Sequence, residues 1–299
     1  MVNIRKASKI LIVCLWLTIF LINDIPRAYS GEVLSTSFQC SEWEGSPGNY
    51  VPGCDGIATG DWSANCGDGS MKYSKITSDA NRSAGGDGKG WRYWVGNGLN
   101  NNSGYPSVHF QSTLLEFWVR YYMRHGKGIK LDREKLCYPP HLYFDFEGGG
   151  SGGRTRVVYA GNTIASSAAG KGFYYVNGGP TGDGKWHLYE FYVKFGANGA
   201  VACKIDGEAI INASGLDISG HSGADFVRVP SNQRTQHEGC KPIDIDDIAV
   251  STTGWIGPGA ISASNSGISS ANSSTSSASS SSESSASAPP PPGKPWVVN

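Results

Sequence analysis

In the segment "LLEFWVRYYMR", Trp118, Arg120, Tyr122 and Arg124 recur at every second position and alternate with Phe117, Val119, Tyr121 and Met123. Extended backbone sends successive side chains to opposite faces, so the first set points away from whatever the second set packs against. The same division recurs elsewhere. Trp186, Glu190, Tyr192 and Lys194 share one side of "WHLYEFYVK", Tyr143, Asp145 and Glu147 lie opposite Leu142, Phe144 and Phe146, and His109 and Gln111 lie opposite Val108 and Phe110. Each outer set joins aromatic rings to charged or amide groups. Flat rings stack on the C–H faces of pyranose sugars, and polar neighbours hydrogen-bond the hydroxyls. A plain solvated face is the alternative, because antiparallel sheets commonly keep one side wet. Against that, Trp118, Tyr122, Tyr143, Trp186 and Tyr192 are a large aromatic surface to leave in water.

The elements that must carry these groups are short. "VHFQS", "LLEFWVRYYMR", "HLYFDFE", "TRVVYAG", "GFYYVNG", "WHLYEFYVKF", "AVACKIDGEAII", "DFVRVPS" and "IDIDDIAVS" are aromatic and β-branched, with Gly, Asn or Pro between them. No amphipathic helix of three turns is visible. The pattern predicts an all-β antiparallel sandwich or jelly roll over residues 31–260. Within it, "DGKWHLYEFYVKFGANGAVACKIDGEAII" reads as two antiparallel strands joined at "GANG". The glycines of "GGGSGG" (Gly148 to Gly153) match a dinucleotide fingerprint only formally, since a strand pattern and no helix follows.

Residues 1–30 read as a secretory signal: Arg5, Lys6 and Lys9 precede an apolar run from Ile10 to Ile22, and Ala28 and Ser30 suit a signal peptidase. The run is shorter than the roughly 20 residues of a membrane span. We therefore expect a secreted, extracellular protein with no membrane attachment after cleavage, the periplasm or cell surface being the other locations open to it. Basic and acidic residues balance at 25 each. Losing Arg5, Lys6, Lys9 and Arg27 against Asp24 leaves the remainder mildly acidic, which argues against nucleic acid as a partner. Cys14 leaves with the signal, so Cys40, Cys54, Cys66, Cys137, Cys203 and Cys240 remain as an even set of disulfide candidates with open connectivity. Residues 261–299 are rich in Ser and then Pro and have too little apolar surface to order. They are expected to form a disordered linker, either a spacer or the join to a further module beyond it.

The quoted strands, with "ITSDANRSAGGDGKGWRYWVGNG", "KIDGE" and "IDIDDIAVSTTGWIGPG", resemble secreted bacterial domains of the concanavalin A-like lectin/glucanase superfamily, nearest to its polysaccharide-lyase-like members. The resemblance runs over most of 38–259. It implies two packed antiparallel sheets, one forming a groove for an extracellular polysaccharide. That superfamily holds lyases, hydrolases and binders, so the residues must decide among them.

β-Elimination from an acidic polysaccharide needs a cation to neutralise the uronate carboxylate, a base for the C5 proton and an acid for the departing oxygen. Arg120 is the expected neutraliser, because its planar fork suits a carboxylate, with Gln111 assisting. His109, Tyr122 and Tyr192 are candidates for base and acid. Trp118, Arg124, Tyr143, Asp145, Glu147, Trp186, Glu190 and Lys194 are candidate sugar contacts. The basic run from Arg120 to Lys135 would attract a polyanion, although its portion after Gly126 reads as a solvated charged loop. Hydrolysis through Asp145 and Glu147 is disfavoured because Tyr143 stands where laminarinase-like members carry a glutamate. A non-catalytic, adhesive glycan-binding module is the remaining alternative. No cofactor is required by any of these readings. A structural calcium at Asp244, Asp246 and Asp247 is a candidate, since hard cations collect carboxylates.

Overall fold

The alternating segments form strands β1 (Glu32–Thr36), β2 (Trp43–Glu44), β3 (Ala58–Gly60), β4 (Lys75–Thr77), β5 (Gly90–Gly96), β6 (Asn100–Asn101), β7 (Pro106–Leu114), β8 (Glu116–His125), β9 (Leu131–Cys137) and β10 (Leu142–Glu147). They continue with β11 (Arg154–Tyr159), β12 (Asn162–Ser166), β13 (Tyr175–Val176), β14 (Gly179–Pro180), β15 (Trp186–Lys194), β16 (Gly196–Ile205), β17 (Glu208–Ile218), β18 (Ala224–Arg228), β19 (Ser231–Thr235) and β20 (Cys240–Ser251). The structure, a computed structural model, describes residues 32–36, 38, 43–44, 58–60, 66, 74–82, 88–96, 100–101, 106–148, 153–171, 175–176, 179–180, 182–235 and 239–258. For β1, β2, β3, β6, β13, β14 and β19, and for Gln111 and Leu131, only the backbone is described. The expected signal, the Ser/Pro-rich tail, Cys40, Cys54 and the Gln111 side chain lie outside the described residues.

The fold is all-β and antiparallel. One sheet runs β17-β16-β15-β8-β20-β5-β4-β2, with β1 also pairing β20, and a second runs β12-β11-β10-β9-β19-β6. A third, β18-β7-β3, meets the second where Tyr138 and Arg228 exchange both backbone hydrogen bonds, at 2.9 and 3.0 Å. The sheets pack face to face. Phe144 of β10 meets Phe191 of β15 edge to face at 5.0 Å, Tyr121 stacks on Tyr189 at 5.5 Å, and the Tyr121 hydroxyl donates to the Leu136 carbonyl at 2.6 Å. These side chains are fully buried, so the outer faces of the two main sheets lie on opposite sides of the molecule.

Three expectations change. "LDREKLC" is strand β9, not a loop. Its apolar pattern is masked because Glu134 points inward, fully buried, where its carboxylate meets His125 Nε2 of β8 at 2.7 Å. The segment "DGKWHLYEFYVKFGANGAVACKIDGEAII" belongs to three strands, not two: the chain turns at Phe195, "GANG" opens β16, and a second turn at Asp206 and Gly207 leads into β17. Cys66 and Cys240 form a disulfide, but Cys137 and Cys203 are free thiols in the core. Burial pushes both thiols above the usual range, so they behave as small apolar side chains. The disulfide closes a sequence separation of 174, worth about 5 kcal/mol in the chain-entropy account. Such a bond fits an oxidising compartment.

In a thiol-alkylation experiment followed by peptide mapping, Cys137 and Cys203 are expected to stay unlabelled in the native protein and to label fully in denaturant. Labelling of either in the native state would contradict its place in the core.

Candidate functional site

The large sheet presents Trp118, Arg120, Tyr122, Arg124, Trp186, Glu190, Tyr192 and Lys194 on its outer side, in antiparallel register: Glu190 faces Arg120, Tyr192 faces Trp118 and Trp186 faces Arg124. Alternation therefore places them together. The segment 254–258 lies across the middle of this group. Arg120 Nη1 donates to the Gly257 carbonyl at 3.0 Å, the Gly257 N–H donates to Glu190 Oε1 at 3.0 Å, and the Tyr122 hydroxyl donates to the Pro258 carbonyl at 3.3 Å. Arg120 is 2% exposed as a result. Gly257 has φ +71°, a left-handed conformation that favours glycine. The guanidinium expected to meet a substrate carboxylate holds the chain's own backbone instead, and Tyr122 and Glu190 are held by the same segment.

The rest of this face is partnered in the same way. Tyr192 stacks on Trp118 at 4.7 Å and donates to Glu116 Oε1 at 2.8 Å; burial, then that hydrogen bond, raises its pKa to about 12. Such a phenol keeps its proton at neutral pH. Lys204 Nζ sits 3.9 Å over Trp255, and Lys194 Nζ lies 3.9 Å from Glu116. Arg124 lies 4.8 Å over Trp186 while its Nε and Nη2 bind Asp244 at 2.9 and 2.6 Å, and Arg92 Nε binds the same carboxylate at 2.6 Å. Asp247, at φ +51°, accepts from Arg82 Nε at 2.6 Å, and Arg82 stacks 3.8 Å over Tyr122. Asp246 accepts from the backbone N–H of Arg82 and of Asp247, each at 2.8 Å. These carboxylates are turned to guanidinium and amide donors, and no group of three His, Cys, Asp or Glu among the described residues is placed to hold a metal ion. The candidate calcium has no cage of oxygen ligands here.

The smaller sheet presents a different surface. A bulge between Phe144 and Asp145 pairs Phe144 with Cys137 but Asp145 with Lys135. Leu136 and Cys137 both point inward, so Lys135 and Tyr138 share the outer face. Lys135 Nζ lies 4.3 Å from the Tyr138 ring and 4.3 Å from the Tyr143 ring. The ring faces favour the ammonium form; burial, then the charge of Arg133, opposes it and brings the amine down to about 8. Arg133 Nε donates to Asp145 at 2.8 Å and its Nη2 to the Tyr143 hydroxyl at 3.1 Å. Arg156 Nε grips the other Asp145 oxygen at 2.7 Å. Glu147 lies 3.2 Å from Arg156 and 3.6 Å from Arg154. In the opposite direction Arg228 lies over Tyr138 at 5.6 Å and Phe226 at 5.0 Å, and Phe226 meets exposed His109 at 5.8 Å. His109 Nε2 is 3.3 Å from the Ser107 hydroxyl.

Of the expected residues, His109, Tyr143, Asp145 and Glu147 thus lie on one continuous surface, and Arg120 with its neighbours on the opposite one. Asp145 is fully buried between two guanidiniums, which removes it as a hydrolytic carboxyl. Arg133, Lys135, Tyr138, Arg156, Phe226 and Arg228 lie outside the set of site residues expected from sequence. "DFVRVPS" carries a readable signal, with Phe226 and Arg228 alternating against Val227, as does "TRVVYAG", with Arg156 between Thr155 and Val157, and Arg133 and Lys135 belong to the basic run.

This is an antiparallel β-sandwich with a cationic and aromatic row along its smaller sheet. No protein-family model matches the chain, and no curated protein does. Among solved structures it is similar to a mutant of alginate lyase Aly36B in complex with alginate tetrasaccharide, at 14% identity and TM-score 0.47, over 75% of this chain and 98% of that one. The endo-β-1,4-glucuronan lyase of the fungus Trichoderma reesei is 11% identical with TM-score 0.38, over 71% and 95% of the two chains. The globular domain of T. cruzi calreticulin is 13% identical with TM-score 0.41, over 74% and 88%. No substrate follows from likeness at this distance.

Burial, then the charge of Asp247, raises the Asp246 pKa to about 8. The folded state therefore keeps a proton there that the unfolded chain has released above about pH 4, and this stabilisation is lost as pH rises through about 8. Asp246→Asn should remove that pH dependence, while losing one of the two backbone hydrogen bonds at every pH, because the amide nitrogen cannot accept. Urea midpoints of both proteins at about pH 6 and about pH 9 measure it; equal alkaline losses would show that Asp246 is ionised throughout.

Proposed function

We propose that this chain recognises an acidic polysaccharide along the outer face of its smaller sheet and cleaves it by β-elimination, with Lys135 as the base. One observation carries the proposal: an amine brought to about 8 stands between two tyrosine rings and beside two guanidiniums on an outward-facing surface. Among the described side chains of this face, Arg133, Lys135, Arg154, Arg156 and Arg228 outnumber Asp145 and Glu147, so a bound chain is anionic. Arg133 and Arg228 neutralise a uronate carboxylate, which makes the C5 proton acidic. Lys135 in its free-amine form takes that proton. The Tyr143 hydroxyl oxygen accepts from Arg133, and its O–H is the donor to the departing oxygen. Phe226, Tyr138 and Tyr143 offer rings for adjacent sugars. Recognition without cleavage is the second reading, favoured by the length of the row from His109 to Arg154. The Cys66–Cys240 disulfide supports an extracellular setting.

Ultraviolet absorbance of the unsaturated uronyl product, followed with alginate, glucuronan and pectate, tests the cleavage. The expected rate on one of these polymers rises with pH through about 8 and then levels, as deprotonation of Lys135 requires. Lys135→Ala should lower it by about a hundredfold or more, with the fold intact by circular dichroism. A flat trace on every polymer, with glycan retention that Lys135→Ala weakens, would leave binding alone. Absence of both would overturn the proposal.

A further inference from the structure

We infer that His141 and His221 form an acid-labile latch that holds the Lys135 face in shape, an inference whose functional half rests on the glycan reading of that face. His141 ends the turn between β9 and β10, and His221 lies in the turn between β17 and β18. Their rings are parallel to within 2° with centroids 3.5 Å apart, and the Tyr159 ring of β11 meets His221 edge-on at 5.8 Å. His141 has φ +60°, a left-handed conformation that glycine or asparagine would adopt at lower cost. Its side chain is what the position gains in exchange: the ring contact joins two turns that are distant in sequence.

Two neutral imidazoles stack favourably, whereas two imidazoliums at this distance repel. The ring contacts place the titratable His141 and Tyr159 against His221. Burial, then the charge of His141, holds the His221 pKa below the usual histidine value. The sign follows: the unfolded turn takes up a proton that the stacked pair resists. The contact therefore loses stability as pH falls through and below the ordinary histidine range of about 6.5.

The latch bears directly on the site. The first turn carries Tyr138, whose backbone pairs with Arg228, and Tyr143 follows His141 by two residues. The second turn leads into β18, which carries Phe226 and Arg228. Gly223, at φ +114°, pins the far end of that turn, since a Cβ there would come within 2.6 Å of the Leu114 carbonyl. Repulsion between the histidines therefore moves 219–222 and the β9–β10 turn, and loosens the seam where Tyr138, Tyr143 and Arg228 meet. The direction is diagnostic. Added positive charge alone would strengthen binding of a polyanion in acid, whereas an opening latch weakens it.

The test follows the full chain by NMR, amide hydrogen exchange and alginate-oligosaccharide binding between about pH 7.5 and about pH 5. The His221 ring proton should titrate below the ordinary value and move toward it in His141→Gln. Exchange in 138–142 and 219–223 should accelerate about tenfold beyond its intrinsic pH change in the parent, but not in His141→Gln. Alginate affinity should fall severalfold in the parent over the same range and not in the variant. Ordinary titration of His221 in both proteins, or turns whose exchange does not respond to pH, would overturn the latch. Opening of the turns with affinity that rises in acid would overturn its regulatory role. Opening and titration as expected, with no alginate bound at any pH, would support the latch and count against the glycan reading.

Discussion

The packing of Tyr121, Tyr189 and Phe191 against Leu136 and Phe144 decides which half of each strand meets water. With the core so filled, a strand must send every alternate side chain outward. A sandwich has two outer faces, however, and the core that fixes inside from outside leaves the assignment between those faces to strand order. Arg120 and Asp145 are each inferred to point away from an apolar set, and they end up on opposite sides of the molecule.

The two faces handle charge differently. On the large sheet the carboxylates of β20 are gripped by Arg82, Arg92 and Arg124, and the peptide of Gly257 lies between Arg120 and Glu190. These groups are largely buried, so removing one partner would strand the other without solvation. Their role is to hold 254–258 and the Arg82 segment onto the sheet. On the smaller sheet Asp145 uses both oxygens to position Arg133 and Arg156, while Lys135 and Arg228 lie over the Tyr138, Tyr143 and Phe226 rings.

The sequence made the fold class legible because apolar period two persists through β8, β10, β11 and β15. It made the composition of the outer faces legible for the same reason. β9 was not legible, since its inward Glu134 breaks the apolar pattern and its partner His125 lies on another strand. The covering of Arg120 was not legible either: Gly257 is distant in the chain, and its contact runs through backbone atoms that no side-chain pattern reports. The disulfide was open among six cysteines, and burial of Cys137 and Cys203 in the core is a consequence of packing alone.

The site itself depends on one irregularity. Unbroken alternation along "LDREKLCY" would carry Arg133, Lys135 and Cys137 outward and send Tyr138 inward with Glu134 and Leu136. The bulge opposite Phe144 and Asp145 inserts one residue, so Leu136 and Cys137 are both buried and Tyr138 returns to the side of Lys135. Only then can one amine lie 4.3 Å from the rings of both Tyr138 and Tyr143. The bulge also lets Tyr138 pair with Arg228, which joins the third sheet to the second and extends the row as far as His109. A free thiol at Cys137 belongs to the same arrangement, because it is the small, apolar side chain that the extra residue turns into the core.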